Sequence, residues 1–111
     1  MPALMIMIAG PYSALTPDGR AANLLKMNSA AVELAKRGHI PVIGVNAALP
    51  VLAAAGLPYG DKLMMEISLA LAARCDAVLQ IARSPGADRE VEVIRGLGRP
   101  VFTRVEDVPA P

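Results

Sequence analysis

The chain of 111 residues contains no tryptophan, one phenylalanine, two tyrosines, one cysteine and one histidine. A lone cysteine, Cys75, excludes an internal disulfide. With Ala72, Ala73 and Ala77 around it, Cys75 reads as a small buried filler. His39 has no histidine or cysteine at metal-ligand spacing, which argues against a zinc centre. Following Gly38, it reads instead as a residue that closes a helix C-terminus. An excess of charge is missing too. Eleven basic residues face ten acidic ones, for a net charge of +1. With no basic excess and no basic–aromatic interleaving, nucleic acid is not an expected partner. The opening run through Ala9 has no basic leader, is too short to span a bilayer and is stopped by Gly10-Pro11. It reads as the buried first strand of a cytoplasmic protein with no membrane partner. Glycine-rich phosphate motifs are absent as well. No Gly-Lys-Ser/Thr follows any loop, and Gly10-Pro11-Tyr12-Ser13 is not a dinucleotide fingerprint.

What is abundant is aliphatic. Hydrophobic residues make up 54% of the chain and aromatics only 3%, so the core must be built from Ala, Leu, Val, Ile and Met. The apolar share exceeds the usual ~45–50%, which already counts glycine. Part of it is therefore expected to meet another subunit in a homodimer or larger homo-oligomer. The length suits one domain, residues 1–111, with a C-terminal tail at 104–111. No internal repeat is evident.

The punctuation is that of an α/β protein. Leu4–Ala9 is an unbroken apolar run, as in a strand covered on both faces. After a Gly/Pro/Ser loop from Gly10 to Gly19, the spacing predicts a helix over Asn23–Arg37, with Leu24, Met27, Ala31 and Leu34 as its stripe and Gly38 as its cap. Ile40–Val45 reads as a second strand, which Pro41 consigns to an edge. Ala47–Ala55 reads as a short helix with Pro50 in its first turn. Asp61 can cap a helix from Lys62 to Arg74. A third strand is expected at Ala77–Ala82, a helix at Ala87–Leu97 and a fourth strand at Pro100–Thr103. Such alternation predicts a flavodoxin/Rossmann-like three-layer sandwich around a parallel sheet of four or five strands, order about 2-1-3-4. Ligands bind such sheets outside the C-terminal strand ends, where the winding reverses. Here that point lies between the first and third strands, beside the loops Gly10–Arg20 and Arg83–Glu90.

The second of these loops carries the sharpest chemical signal. Glu90 shares a helix face with Val93, Ile94 and Leu97, so it sits at the end of the stripe that faces the protein. Asp88 and Glu92 point away, toward water. A carboxylate in the first turn is favoured by the helix dipole, and an ionised, pre-positioned carboxylate suits a nucleophile at a sugar carbon or a charge beside an oxocarbenium-like centre. The plainer alternative is a capping glutamate, or one paired with Arg20 or Arg89. Ser84 and Gly86 can present a hydroxyl and backbone amides to a phosphate, or simply cap the helix. Gly10 permits close backbone approach and Pro11 stiffens the turn. Tyr12 either stacks on a flat ligand or packs the loop. Arg20 is either solvated or turned toward the loop. Met64 and Met65 begin a stripe through Ile67, Ser68, Leu71 and Cys75, as core or subunit-interface filler. Ser68 back-bonds to its helix or reaches the cleft.

Taken in order, Met7-Ile8-Ala9-Gly10-Pro11-Tyr12-Ser13, Arg20, Asn23, Gly38-His39-Ile40-Pro41-Val42, Cys75-Asp76-Ala77-Val78, Ser84-Pro85-Gly86-Ala87-Asp88-Arg89-Glu90 and Gly98-Arg99-Pro100-Val101 resemble the nucleoside 2-deoxyribosyltransferase-like superfamily over nearly the whole chain. Within it, the pattern is most similar to a group of small, largely uncharacterised domains. The resemblance implies a flavodoxin-like core, usually dimeric, that cleaves or exchanges the N-glycosidic bond of nucleosides or nucleoside 5′-monophosphates without metal or organic cofactor. It implies Glu90 as nucleophile, Tyr12 beside the sugar and base, and Ser84, Gly86 and Arg20 on the phosphate. The Gly10-Pro11 turn and Ser68 complete the expected substrate contacts. It also exposes a departure. Relatives usually carry an aspartate, which positions the sugar or protonates the base, where this chain has Ser68. A serine is no general acid at neutral pH. The alternative expectation is a non-catalytic nucleotide or phosphosugar binder.

Overall fold

Apolar runs of four to six residues, set between amphipathic stretches, can bury both faces only as strands sandwiched by helices. The computed structural model of the protein, which describes residues 2–111, has this form. Its elements are β1 (Met5–Ala9), α1 (Pro17–Lys36), β2 (Ile40–Val42), α2 (Gly44–Ala55), α3 (Lys62–Ala72), β3 (Ala77–Gln80), α4 (Pro85–Gly96) and β4 (Val101–Phe102), followed by a 3₁₀ turn at Val105–Asp107. The four strands pair in the order β2-β1-β3-β4, all parallel, with Met5 opposite Ile40 and Ile6 opposite Ala77. Pro41 lies on the edge strand, as a residue without an N–H must. No helix among the described residues is long and apolar enough to cross a membrane.

Strand pleating divides the core in two. Ile6, Ile8, Ala77 and Leu79 face Met27 and Leu34 of α1, together with Ile43 and Val108. Met7, Ala9 and Val78 face the other way, against Ala72, Cys75 and the α4 residues Ala87, Val91 and Ile94. Cys75 is buried there, and burial pushes its thiol pKa up.

Several boundaries differ from the sequence expectation, each for a local reason. Helix α1 starts six residues before Asn23. The Thr16 hydroxyl accepts from Gly19 N–H, and Pro17 occupies the first turn, where its missing donor costs nothing. Helix α4 starts at Pro85 for the same reasons: the Ser84 hydroxyl caps it by accepting from Ala87 N–H at 3.1 Å. Strand β2 stops at Val42, and Gly44 begins α2, leaving Pro50 inside that helix rather than in its first turn.

The tail and His39 also depart from expectation. Rather than capping the helix through its side chain, His39 is buried and joins two chain ends. Its Nδ1 accepts from Leu4 N–H at 3.1 Å, so the proton sits on Nε2 and is donated to the Pro109 carbonyl at 2.6 Å. The C-terminal tail is thereby held down, with Val108 buried against the α1 face. Gly38 has φ +92°, and a Cβ there would meet the Pro111 ring at 3.2 Å.

Replacing His39 with alanine removes both hydrogen bonds and leaves a void, and is expected to cost about 2–4 kcal/mol. Urea unfolding reads the loss. An Arg37→Ala control at the exposed neighbour should stay within about 0.5 kcal/mol of the parent. Equal midpoints for parent and His39→Ala would mean that the clasp contributes nothing.

Candidate functional site

The cavity of interest lies where the winding of the sheet reverses, at the C-terminal ends of β1 and β3, and encloses about 370 Å³. That is within the size range of small-molecule sites. Its floor is Ile8 and Gly10, the end of β1 and the turn beyond it. Gly10 is needed there because a Cβ would come within 2.8 Å of Ile81 Cγ1. Tyr12 and Ser13 line one side, Met27 of α1 another, and Ile43 to Val45 form the approach to α2. Asp61, Met64, Met65 and Ser68 come from the start of α3 and its inner face, opposite Ser84 to Ala87 and Glu90. The structure thus brings Gly10, Tyr12, Ser68, Ser84, Gly86 and Glu90 to one cavity. Pro11 and Arg20 do not line it.

Glu90 is only 8% exposed, and its carboxyl pKa is pushed up to about 8 by desolvation alone. The expectation of an ionised carboxylate is therefore corrected: the resting group is the neutral acid. The cause is geometric. Because α4 begins at Pro85, Glu90 is its sixth residue, in the second turn, beyond the first-turn reach of the dipole. No ion pair to Arg20 or Arg89 compensates it among the described residues. Asp88 points to the surface as expected, and there accepts from Gln80 Nε2 at 2.9 Å and from Arg83 Nη2 at 3.0 Å. The Arg83 guanidinium holds the Asp88 carboxyl below the usual carboxylate range. Glu92 does stay on the surface, paired with Arg95.

The start of α4 offers less to an anion than its sequence promised. Pro85 has no N–H, Ala87 N–H is taken by the Ser84 hydroxyl, and Asp88 N–H bonds to the Ser84 carbonyl at 2.8 Å. Gly86 N–H is left as the one open amide of the first turn. Arg20 is committed elsewhere. Its Cζ lies 4.1 Å over the ring of Tyr59, and Nη1 donates to the Ala14 carbonyl at 3.2 Å. Tyr59 in turn meets Tyr12 edge-on, with centroids 6.0 Å apart at 81°. Arg20, Tyr59 and Tyr12 thus form one stack whose inner member faces the cavity. The Asn23 amide secures the loop by donating to the Tyr12 carbonyl at 3.0 Å.

Sequence reasoning had Asp61 as a cap, and it is one: it accepts from Leu63 N–H at 2.9 Å. It missed that Asp61 also faces the cavity. The signal was present, because residues 61, 64, 65 and 68 stand at i, i+3, i+4 and i+7 and so share a helix face. Ser68 belongs to that face and packs on Gly44, where a Cβ would collide with its hydroxyl. The cavity as a whole has aliphatic and thioether walls. Asp61 and Glu90 are its acids, and among the described residues no lysine or arginine lines it.

Compared with known proteins, the chain matches no family model and no curated protein.

The displaced titration of Glu90 has a thermodynamic signature. Between pH 4.5 and about 8 the unfolded chain sheds this proton while the folded protein keeps it. The folded state then binds more protons, and stability must fall as pH rises across that window. The full loss is on the order of 3–5 kcal/mol. Glu90→Gln should lack this slope. Urea midpoints measured across the window should leave the variant matching the parent at the acid end and more stable than the parent at the alkaline end. Parallel pH profiles would mean that Glu90 titrates normally.

Proposed function

We propose that this protein cleaves the N-glycosidic bond of a nucleoside-type substrate, with Glu90 attacking C1′. The observation that carries the reading is a carboxyl 8% exposed, without a protein partner, in a cavity at the reversal point of a parallel sheet. Structural glutamates in such positions are normally paired. A perturbed acid in a concave site is a candidate for chemistry. In the ionised form Glu90 displaces the base and forms a glycosyl ester, which water then resolves, or a second base in the transfer variant of the reaction. The chemistry needs no metal or organic cofactor. The residue pattern that resembles the nucleoside 2-deoxyribosyltransferase-like superfamily supports the same assignment, with Tyr12 beside the sugar and base and Ser84 and Gly86 as polar contacts at the end of α4.

The surroundings favour a nucleoside over its 5′-monophosphate. A phosphate would meet one open amide and the Ser84 hydroxyl, with Arg20 held on Tyr59. The proposed enzyme is a homodimer or larger homo-oligomer. Leu25 and Val32, seven residues apart on α1, are 65% and 52% exposed, two large apolar side chains on one face of that helix.

Incubation with a panel of nucleosides and their 5′-monophosphates, followed by chromatography for free base, tests the reading. The nucleophile must be ionised, so kcat/KM should rise with pH and level off above about 8. Glu90→Gln should lose about 10³-fold or more. A profile that falls through the same pH would instead make Glu90 a proton donor. Thermal stabilisation by a nucleoside with no base released would leave a binding protein.

A further inference from the structure

The lining of the cavity also bears on which base can leave, an inference that rests on the N-glycosidase reading above. Its titratable groups are Tyr12, Asp61 and Glu90, and among the described residues no cationic side chain reaches it. Glu90 is 8% exposed and uncompensated by any neighbouring charge or hydrogen bond.

When the C1′–N bond breaks, its electron pair leaves with the base. An uncharged base must then receive a proton, from an acid on the side of C1′ away from the nucleophile. The cavity is poorly supplied with such an acid. Ser68 and Ser84 are alcohols, and the Tyr12 phenol is a much weaker acid than a carboxyl. Asp61 is turned to the start of α3, where its carboxyl accepts from Leu63 N–H. Glu90 cannot stand on both sides of C1′. A base that already carries a positive charge removes the difficulty, because it departs neutral with no proton supplied. The same charge makes the cavity more workable in two further ways. It draws the proton off Glu90 as it enters, since a nearby opposite charge favours the ionised carboxyl. It also finds polarisable walls in Met27, Met64, Met65 and the Tyr12 ring.

We propose that the site takes unphosphorylated N-glycosides of cationic bases, the pyridinium or N-alkylated purinium nucleosides, in preference to those of neutral bases. The steps balance. Entry of the cation releases one proton from Glu90 to solvent. The carboxylate oxygen bonds to C1′ as the C1′–N bond breaks, and the base leaves uncharged. Water then splits the ester, its hydroxyl going to C1′ and its proton to Glu90, which restores the resting acid.

The test uses the intact protein and two matched comparisons. In the first, base release is measured from 7-methylguanosine, guanosine and the 5′-monophosphates of both. The methylated nucleoside should exceed guanosine by about 10²-fold or more in kcat/KM, the factor a missing general acid would otherwise supply. It should also exceed its own monophosphate. Because cationic nucleosides are intrinsically more labile, the second comparison involves no bond cleavage. 1-Methylnicotinamide, a pyridinium cation without a sugar, should bind about ten-fold more tightly than neutral nicotinamide, and Glu90→Gln, verified as folded by circular dichroism, should abolish that preference. Equal binding of the two, or cleavage of guanosine or of a monophosphate as fast as of 7-methylguanosine, overturns the inference and leaves N-glycosidase activity standing. No base release from any member of the panel overturns the N-glycosidase reading, and this inference with it.

Discussion

A carboxyl held in an apolar cavity without a counter-charge is the constraint around which this molecule is arranged. Removing a glutamate from water is unfavourable, and the fold offsets little of the cost. The helix that carries Glu90 begins five residues earlier, too far for its amide dipoles to help, and among the described residues no arginine lines the cavity. The protein accepts a neutral acid at rest and a decline in stability as pH rises through the window in which that acid ionises. Such an arrangement is unfavourable for a purely structural glutamate. It becomes useful if the missing counter-charge arrives with a ligand, because the free energy withheld from the empty site is then released on binding.

The scaffold that imposes this constraint is rigid where it needs to be. β1 and β3 are the two inner strands, and their residues between Ile6 and Ala9 and between Ala77 and Leu79 are almost wholly inaccessible. Glycine at position 10 lets the chain turn immediately beyond β1, close against Ile81. On the far side, Arg99 Nη1 donates to the carbonyls of Ala73 and Cys75 at 3.0 and 2.7 Å, tying the end of α3 to the start of β3. Asp76 accepts from Met5 N–H at 2.8 Å. These clasps lie at the N-terminal ends of the strands, opposite the cavity. These side-chain clasps tie one end of the sheet, and the end left open is the one lined by loops and helix starts.

Much of the architecture was legible because it follows from hydrophobic periodicity alone. An unbroken apolar run such as Met5–Ala9 has few alternatives to a central parallel strand, and Pro41 could sit only at an edge. The strand order, and with it the position of the crevice, follows from these two facts and the handedness of crossovers. Helix starts were harder to read because proline and a small polar residue resemble a loop in composition. At Thr16-Pro17 and Ser84-Pro85 they are the first turn of a helix. At α4 that two-residue difference carries Glu90 from the first turn into the second, while burial sets its raised pKa. The site was legible where it depended on a single helix, as for Glu90, Ser84 and Gly86. It was not where it depended on competition between loops. Arg20 is drawn to Tyr59, a residue 39 positions away whose approach no local pattern announces. Asp61 was visible as a cap, but its place in the cavity depends on how α3 lies against α4.

The serine on α3 is best understood as part of the same packing problem. Helix α2 begins at Gly44, directly against Ser68, and the two close up so far that neither position has room for another atom between them. Gly44 lacks a side chain, Ser68 has a short one, and each limits what the other can be. An aspartate at 68 would have to turn its carboxyl into the cavity and add a third acid, beside Asp61 and Glu90, to a space that no lysine or arginine among the described residues lines. Like charges at that distance cannot both ionise freely. A short, uncharged residue at 68 therefore lets α2 and α3 close up and adds no further carboxyl beside Glu90. The packing of two helices and the number of acids in the cavity are in this way linked at one pair of small residues.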